Sequence, residues 1–226
     1  MSSDRNQDFE EFVPTRRTSQ EMEDRHLMVD LIQRAYRQQL FTSTEGTFAC
    51  RLDKDSFLIT QRGFDRGSLE PEDLVLVTGH RREAGKHVSR AAWFVKAVFD
   101  AQPEVNSIIL ANPPCVMSYA VTDAKFDPRV IPESYILLRE VPTFPFGTHF
   151  RDVNEVAKVL SPRYPVVIIQ NDCLVTTGST LIQAFDRLEV AEYSAKATIA
   201  CKTLGGMKPI TSKQIADLVK AFHLIK

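Results

Sequence analysis

The sequence predicts a single α/β domain in which helices pack on both sides of a central, mostly antiparallel sheet. Short apolar runs of strand length recur along the chain and outnumber those of a dinucleotide-binding fold. Longer segments between them place apolar residues at helical spacing. No G-x-G-x-x-G motif follows a strand, which argues against a dinucleotide site. With 43% hydrophobic residues, a chain of 226 residues is long enough to bury a large core.

The N-terminal part of the chain is predicted to begin with a tail, a helix and a hairpin. Residues 1–17 are polar and charged and are expected to form a mobile tail, which leaves residues 18–226 as the folded domain. Thr18 and Glu21 have the spacing of a capping box, and apolar residues then recur at helical spacing to about residue 41. The next strands are predicted over residues 46–52, 56–60 and 73–79, with residues 53–55 as the hairpin turn.

The C-terminal part alternates predicted strands and helices. A basic loop over residues 80–87 leads to Ser89, a good N-cap for the helix that contains Trp93. Residues 123–133 are interrupted by prolines and are expected to be a loop, and the run SYILLREV after them is predicted as a strand. The other strands are expected over residues 107–111, 165–170 and 174–178, and the other helices over residues 152–160, 179–204 and from about 211.

The charge and the cysteine content exclude several classes of partner. The formal net charge is −1, so no global field attracts nucleic acid or a membrane surface. No apolar stretch is long enough to span a bilayer, and the first residues lack the basic-then-apolar pattern of a secretory signal. The four cysteines are far apart and form no C-x-x-C pair, which is typical of free thiols in a reducing compartment. We therefore expect a cytoplasmic protein that binds neither nucleic acid nor a membrane.

Several separate stretches carry a resemblance to a known family. The segments GTFACR, LITQRG, SRAAWFVKAVF, VPTFPFGT and IIQNDCLVTTG follow one another in an order and spacing that resemble the class II aldolase/adducin family. The likeness covers roughly residues 27–224. It implies that family's single-domain fold and, in its enzymes, the cleavage or epimerisation of a sugar phosphate with the help of zinc.

The resemblance also implies which residues stand at the zinc site, and all four have changed. The two histidines of the family's strand-end His-x-His fall on Leu110 and Asn112, and the third histidine falls on Asp172. The glutamate that moves a proton falls on Ala91. A catalytic zinc normally has three protein ligands, so the sequence predicts no zinc, no metal ligand and no other cofactor at this site. The five histidines of the chain are scattered, and each is expected to be a solvated side chain rather than a ligand.

The catalytic candidates that remain are Asn112, Asp172 and Tyr135. Asn112 precedes a proline and Asp172 follows an asparagine, so each has a second interpretation as a turn-forming residue. Tyr135 matches a family tyrosine near the substrate, and its alternative role is a buried tyrosine of a strand.

The part of the site that binds phosphate in the family is kept in type at Gly46, Gly63 and Ser89, while Thr47 takes a position that is usually asparagine. The resemblance places two glycine turns and the start of a helix around the anion, where backbone N–H groups and the helix dipole favour negative charge. Arg62 and Arg90 occupy positions where the family has small hydroxyl residues, and they would strengthen the binding of a phosphate or carboxylate. The alternative is that both are exposed surface arginines. The predicted ligand-binding residues are Gly46, Thr47, Arg62, Gly63, Ser89 and Arg90.

Two classes of function follow. The first is a pseudoenzyme, an adducin-like binding or scaffolding domain that keeps the fold, the anion pocket and the family's ring of four subunits. The second is an enzyme, a metal-dependent lyase (aldolase) or epimerase acting on a sugar phosphate, with Asn112 and Asp172 around a harder ion such as magnesium. The loss of the glutamate together with the metal ligands favours the first. The expected partners are a small anionic ligand, copies of the same chain in a homotetramer, and an active paralogue as a further option.

Overall fold

A nine-stranded mixed sheet forms the centre of the protein in the computed structural model, which describes residues 9–224. The strands are β1 (Glu10–Phe12), β2 (Thr47–Arg51), β3 (Ser56–Ile59), β4 (Val75–Thr78), β5 (Arg81–Glu83), β6 (Ser107–Ala111), β7 (Thr143–Phe144), β8 (Val166–Ile169) and β9 (Cys173–Gly178). They lie in the order β1-β5-β4-β3-β2-β6-β9-β8-β7. The two outermost pairs, β1 with β5 and β7 with β8, are parallel, and the other neighbours are antiparallel. The predicted fold class is confirmed.

Helices cover both faces of this sheet. They are α1 (Ser19–Arg37), α2 (Ala92–Ala101), α3 (Pro114–Ala120), α4 (Pro132–Leu138), α5 (Thr148–Arg151), α6 (Val153–Val159), α7 (Leu181–Ala200) and α8 (Ser212–Ala221), with short 3-10 helices at Pro71–Asp73 and Cys201–Leu204. One core lies between the sheet and helices α1, α3, α4 and α7, and a second lies between the sheet and helices α2 and α6. None of the described helices is both long enough and apolar enough to cross a membrane.

The central strand β6 contributes side chains to both hydrophobic cores. Side chains alternate between the two faces of a strand. Ile109 and Ala111 therefore face the core beneath α1 and α7, while Ile108 and Leu110 face the core beneath α2. A strand that is buried on both sides reads as a continuous apolar run, as SIILA does.

A buried ion network ties the first helix to the edge of the sheet. Arg25 is fully buried, and its guanidinium donates to the carboxylates of Glu21, at 2.9 Å, and Glu83, at 3.3 Å. It also donates to the backbone carbonyls of Pro71 and Leu74 at 3.0 and 2.8 Å. Half of the predicted capping box of α1 is present, since the Thr18 hydroxyl accepts from the Glu21 N–H at 3.1 Å, but no bond from the Thr18 N–H to the Glu21 side chain completes it among the described residues. The Glu21 carboxylate instead accepts a hydrogen bond from the buried Arg25.

Three predictions about secondary structure are wrong. The expected tail over residues 1–17 includes β1, which pairs in parallel with β5, and only residues 1–8 of it lie outside the described part of the chain. The basic loop over residues 80–87 contains β5 itself. Residues 134–141, predicted as a strand, largely form α4, because Pro132 at the first helical turn fits a helix start and Glu133 is favourable there.

Candidate functional site

A cleft opens at the edge of the sheet where β2 begins, β6 ends and β9 begins. Its volume is about 1110 Å³, and the N-terminal end of α2 forms one wall. Eight of the nine residues that the sequence predicts for the site line this cleft: Gly46, Thr47, Arg62, Gly63, Ser89, Arg90, Asn112 and Asp172. Because they come from segments that are far apart in the sequence, the fold itself brings them together. Their roles in binding remain predictions.

Gly46 and Gly63 lie in two turns that form the floor of the cleft. Their φ angles are +80° and +78°, in the left-handed region that glycine adopts at little cost. A Cβ atom on Gly46 would lie only 2.8 Å from the ring of Phe41, so this turn also needs a residue without a side chain. A Cβ atom on Gly63 would meet nothing within 4 Å, which leaves open space above that turn.

The buried side chain of Arg66 holds the two glycine turns together. Its guanidinium is 2% exposed and donates to four backbone carbonyls. The acceptors are Glu45 at 3.0 Å, Gly46 at 3.1 Å, Gln61 at 3.0 Å and Phe64 at 3.1 Å. Burial lowers the pKa of Arg66 to about 10, so the side chain still carries its charge at neutral pH. The sequence offered no signal for this role, because QRGFDRG reads as a loop with exposed arginines.

Thr47 and Ser89 meet in the wall of the cleft. Their hydroxyl oxygens are 2.6 Å apart, and each residue is 8% exposed. The Ser89 N–H donates to the carbonyl of Thr60 at 3.1 Å, and the Ser89 hydroxyl accepts from the Ala91 N–H at 3.3 Å. Ser89 thus caps the turn that precedes α2, and the helix itself begins at Ala92. The N-cap of α2 is Ala91, two residues after the predicted Ser89.

Two arginines stand at the rim of this wall. Arg62 and Arg90 are exposed, and their segments are joined by a bridge between Gln61 and Val88. The Arg90 guanidinium lies 3.5 Å from the carboxylate of Glu45. Four arginines and two carboxylates line the cleft, so positive charge is in excess there while the whole chain is nearly neutral. Such a local excess favours an anionic ligand.

The hydrogen bonds at the end of β6 explain why a single polar residue, Asn112, follows the apolar run of this strand. The side-chain amide of Asn112 donates to the backbone carbonyl of Asp172, and the Asn112 N–H donates to the carbonyl of Leu40 at 3.0 Å. Asn112 therefore clamps the end of β6 to the turn before β9. The turn interpretation of Asn112 agrees with these bonds. Leu110, 6% exposed, places an apolar side chain in the cleft two positions earlier.

Asp172 is half-buried in this turn and follows the exposed Asn171. Its side chain is 26% exposed, and Asn171 before it has φ +54°, which turns the chain into β9. Burial raises the pKa of the Asp172 carboxyl, and the Glu45 charge raises it further, while the charge of Arg90 lowers it.

The residues at the implied zinc positions do not fit that metal. Leu110 has no donor atom, and Asn112 commits its amide nitrogen to a backbone carbonyl. Ala91 is 4% exposed and has no group that can move a proton. A different set of donor atoms is close by, because the ligand atoms of His149, Asp172 and Cys173 all lie within 4.8 Å of one another.

His149 is the residue of the cleft that the sequence reasoning missed. It was expected to be solvated, but α5 turns its ring inward, where it is 1% exposed and packs against Phe94 and Phe150. Its Nε2 lies 3.6 Å from a carboxylate oxygen of Asp172, and its Nδ1 has no hydrogen-bond partner among the described residues. Burial lowers the pKa of His149 to about 4, so the imidazole is neutral at pH 7. The nearby Phe146 and Phe150 are the only feature of the sequence that indicates an apolar environment for His149.

An aromatic pair closes another side of the cleft. Phe9 is 3% exposed and stacks on Trp93 with ring centroids 4.4 Å apart. The Trp93 indole N–H is buried and has no partner among the described residues. Phe9 belongs to the stretch that was predicted to be a mobile tail, so the sequence did not assign it to the site.

Tyr135 is the one predicted site residue that lies elsewhere. It stands on α4 in a second cleft of about 880 Å³, beside Arg139 and residues of α8. The strand interpretation of its segment is wrong, and the helix carries Tyr135 away from the strand ends. Tyr135 therefore lies outside the main cleft of this chain, and a role for it near a ligand stays a prediction.

Comparisons with known proteins agree with this architecture. The family model described as the class II aldolase and adducin N-terminal domain matches residues 26–199. The 3-oxo-tetronate 4-phosphate decarboxylase of Haemophilus influenzae is 27% identical over 207 residues, which cover 88% of this chain and 97% of that protein. The L-fuculose phosphate aldolase of Methanococcus vannielii is 30% identical over 151 residues, which cover 64% of this chain and 80% of that protein.

A solved structure extends the likeness to the backbone. The crystal structure of YgbL from Klebsiella pneumoniae superimposes with a TM-score of 0.79 at 22% sequence identity, covering 88% of this chain and 98% of that chain. At this level of identity the match establishes the same fold.

Proposed function

Because the chain belongs to the family of the class II aldolase and adducin N-terminal domain, we propose that its cleft binds a phosphorylated small molecule. The proposed role is that of an oligomeric, cytoplasmic binding protein. It does not include the zinc-dependent cleavage of a carbon–carbon bond by the family's usual ligands.

One observation carries the anion site: the hydroxyl pair of Thr47 and Ser89 lines the same cleft as the two rim arginines. The hydroxyl groups are 2.6 Å apart, and they sit beside the N-terminal end of α2. A phosphate oxygen can accept from these hydroxyls, from the helix end and from the guanidinium of Arg90 or Arg62. Arg66 fixes the two glycine turns below, so the site is organised before a ligand arrives.

The names of the relatives support phosphate as the anion. The two similar proteins described above are named for different reactions, a decarboxylation and an aldol reaction, but both names include a phosphate group. We therefore propose that the phosphate-binding part of the cleft is the feature that this chain shares with these two proteins.

The changed residues argue against the aldolase reaction. Leu110 and Asn112 offer no histidine nitrogen, and Ala91 stands where the resemblance places the proton-carrying glutamate. A cleft that keeps its anion-binding residues and loses both the metal ligands and the proton carrier fits a binding role. Selection for a different metal alone would not require alanine at position 91.

The proposal includes assembly into a ring of four, as the resemblance implies. Phe146 lines the cleft and is 60% exposed, and Phe64 beside Gly63 is 39% exposed. Aromatic side chains exposed at the rim of a site are suited to contact with a neighbouring subunit. Sites at subunit boundaries would cover them.

Titration calorimetry with inorganic phosphate and glycerol 3-phosphate tests the binding role. We expect the Arg62→Ala/Arg90→Ala double variant to lose roughly 1.5–3 kcal/mol of binding free energy for each charged hydrogen bond removed. The matched control, Arg37→Ala/Lys208→Ala, removes the same charge from exposed positions outside the cleft and should bind as the unaltered protein does. Equal affinities for the two double variants would refute the proposal.

A further inference from the structure

Three potential metal ligands from two segments meet at one wall of the cleft. His149 comes from α5, and Asp172 and Cys173 come from the turn that opens β9. The ligand atoms of all three lie within 4.8 Å of one another. Cys173 is 4% exposed and is one of the residues that line the cleft.

The hydrogen bonding of His149 leaves its Nε2 lone pair available to a cation. A neutral imidazole has one N–H group and one lone pair, and buried polar atoms of this kind are normally paired. In His149 the Nδ1 has no partner among residues 9–224, and the Nε2 faces a carboxylate oxygen from 3.6 Å, beyond hydrogen-bond reach. The ring is 1% exposed, so bulk water does not easily complete its bonds. A cation bound to Nε2 would use its lone pair and balance the carboxylate.

The distances suit a small tetrahedral ion. With zinc bonds of about 2.0–2.2 Å to nitrogen and oxygen, two ligands of a tetrahedral site lie roughly 3.4 Å apart. The observed separation of 3.6 Å between His149 Nε2 and the Asp172 oxygen is close to this value. A shift of the Cys173 thiol by about 1 Å would bring it to its own bond length of about 2.3 Å from the ion.

The chemistry of the donors selects the class of metal. One imidazole, one carboxylate and one thiolate suit a borderline-soft ion such as Zn²⁺ or Co²⁺. Magnesium prefers an all-oxygen octahedral shell, which this group does not provide. This donor set therefore differs from the alternative of a harder ion between Asn112 and Asp172, because it suits a softer ion.

We propose that His149, Asp172 and Cys173 together bind one zinc-type divalent transition-metal ion. Only position 172 is shared with the set that the family resemblance implies, because Leu110 and Asn112 occupy the other two positions. Three protein ligands leave a fourth position for water or for an oxygen of a ligand. The inference goes beyond the proposed phosphate binding and does not depend on it, because the hydroxyl pair and the rim arginines are not among the metal ligands.

Cobalt spectroscopy tests the site without any assay of activity. The full-length protein is freed of metal with a chelator and titrated with Co²⁺ under reducing conditions. We expect one Co²⁺ per chain and a thiolate-to-cobalt charge-transfer band, and we expect added Zn²⁺ to remove the band. The Cys173→Ser variant should lose the band.

The other cysteines provide matched controls. Cys115→Ser and Cys201→Ser change half-buried thiols outside the cleft, and both variants should keep the band. A band that survives in Cys173→Ser, or one that disappears in either control, would overturn the proposal. The absence of stoichiometric Co²⁺ binding by the unaltered protein at micromolar concentration would do the same.

A second variant keeps the test valid if Cys173→Ser fails to fold. His149→Gln should retain the thiolate band but bind Co²⁺ more weakly, and an unchanged affinity would contradict the ligand set. Phosphate titration of the metal-free protein separates this inference from the proposed function. Retained phosphate binding with no metal binding would refute only the metal site, and the reverse result would refute only the phosphate site.

Discussion

The hydroxyl oxygens of Thr47 and Ser89 lie 2.6 Å apart and join the start of β2 to the segment that leads into α2. Each hydroxyl has one hydrogen to donate, so one of the two remains able to donate to a ligand. The Ser89 oxygen already accepts from the Ala91 N–H at 3.3 Å, which fixes its direction. The pair is therefore a preorganised donor at the edge of the cleft.

Removal of the Ser89 hydroxyl should weaken phosphate binding. We expect Ser89→Ala to raise the dissociation constant for inorganic phosphate roughly 2- to 10-fold, the equivalent of one neutral hydrogen bond of about 0.5–1.5 kcal/mol. Titration calorimetry measures this change. Ser118→Ala, which removes an exposed hydroxyl on α3, is the control and should leave the affinity unchanged. An unchanged affinity in Ser89→Ala would exclude the hydroxyl from the site.

Loss of the Arg66 guanidinium should destabilise the fold. Arg66→Met removes the donor from four backbone carbonyls, one in a buried bond and three in half-buried bonds, and a buried unsatisfied group costs about 1–3 kcal/mol. We expect the free energy of unfolding in urea to fall by at least about 3 kcal/mol. Arg37→Met changes an exposed arginine at the end of α1 and should alter it by less than about 0.5 kcal/mol. A small effect of Arg66→Met would show that the glycine turns do not depend on this side chain.

Glu83 should make the fold sensitive to acid. Burial raises the pKa of its carboxyl, but hydrogen bonds from Lys86 and the Leu76 N–H, with the charges of Lys86 and Arg25, outweigh burial and lower the pKa below its usual value. As the pH falls, the unfolded chain therefore binds this proton first. The stabilisation is complete above the unfolded-state pKa of about 4.3 and is lost as the pH falls through the folded-state pKa.

The measurement for Glu83 is urea unfolding at about pH 7 and about pH 4. Glu83→Gln should be less stable than the unaltered protein at the higher pH, because Arg25 loses a charged partner, and its stability should change less between the two conditions. Glu104→Gln, at an exposed position, should follow the unaltered protein. Parallel pH profiles for Glu83→Gln and the unaltered protein would contradict the role of this carboxylate.

The oligomer is tested by light scattering at micromolar concentration. We expect a mass of four chains of 25.6 kDa each. Phe146→Asp should lower this mass, because a charge at the rim of the cleft would be buried against the neighbouring subunit. Leu204→Asp changes a residue that is 86% exposed outside the cleft and should leave the mass unchanged. A strictly monomeric mass for the unaltered protein would refute the ring.

The sheet could be predicted from the sequence wherever its strands are apolar. SIILA and PVVIIQ are buried on both faces and have no polar alternative, so their assignment as strands was secure. The edge strands β1 and β5 were missed because they carry charges. Arg82 and Glu83 look solvated in the sequence, but ion pairs with Glu11 and Arg25 allow them to be buried.

Residues of the candidate site could be predicted when neighbouring residues in the chain indicate their role. They could not be predicted when the role depends on contacts that only the fold creates. Glycine turns and a serine before a helix can be recognised from their neighbours in the chain. Arg66 and His149 acquire their environment from segments far away, and no spacing rule reports that a loop histidine will lie 3.6 Å from Asp172. Tyr135 lies elsewhere for a related reason, because its apolar segment has the composition of a strand but forms α4.

The most direct test of phosphate binding is a crystal structure of the protein grown or soaked with inorganic phosphate. We predict a phosphate in the cleft within hydrogen-bond distance of the Ser89 hydroxyl, with the Arg90 guanidinium turned from Glu45 toward the anion. The same crystals without phosphate should show Arg90 beside Glu45, where the two side chains are now 3.5 Å apart. A structure with phosphate bound elsewhere, and with Arg62 and Arg90 directed into bulk solvent away from Ser89, would contradict the account.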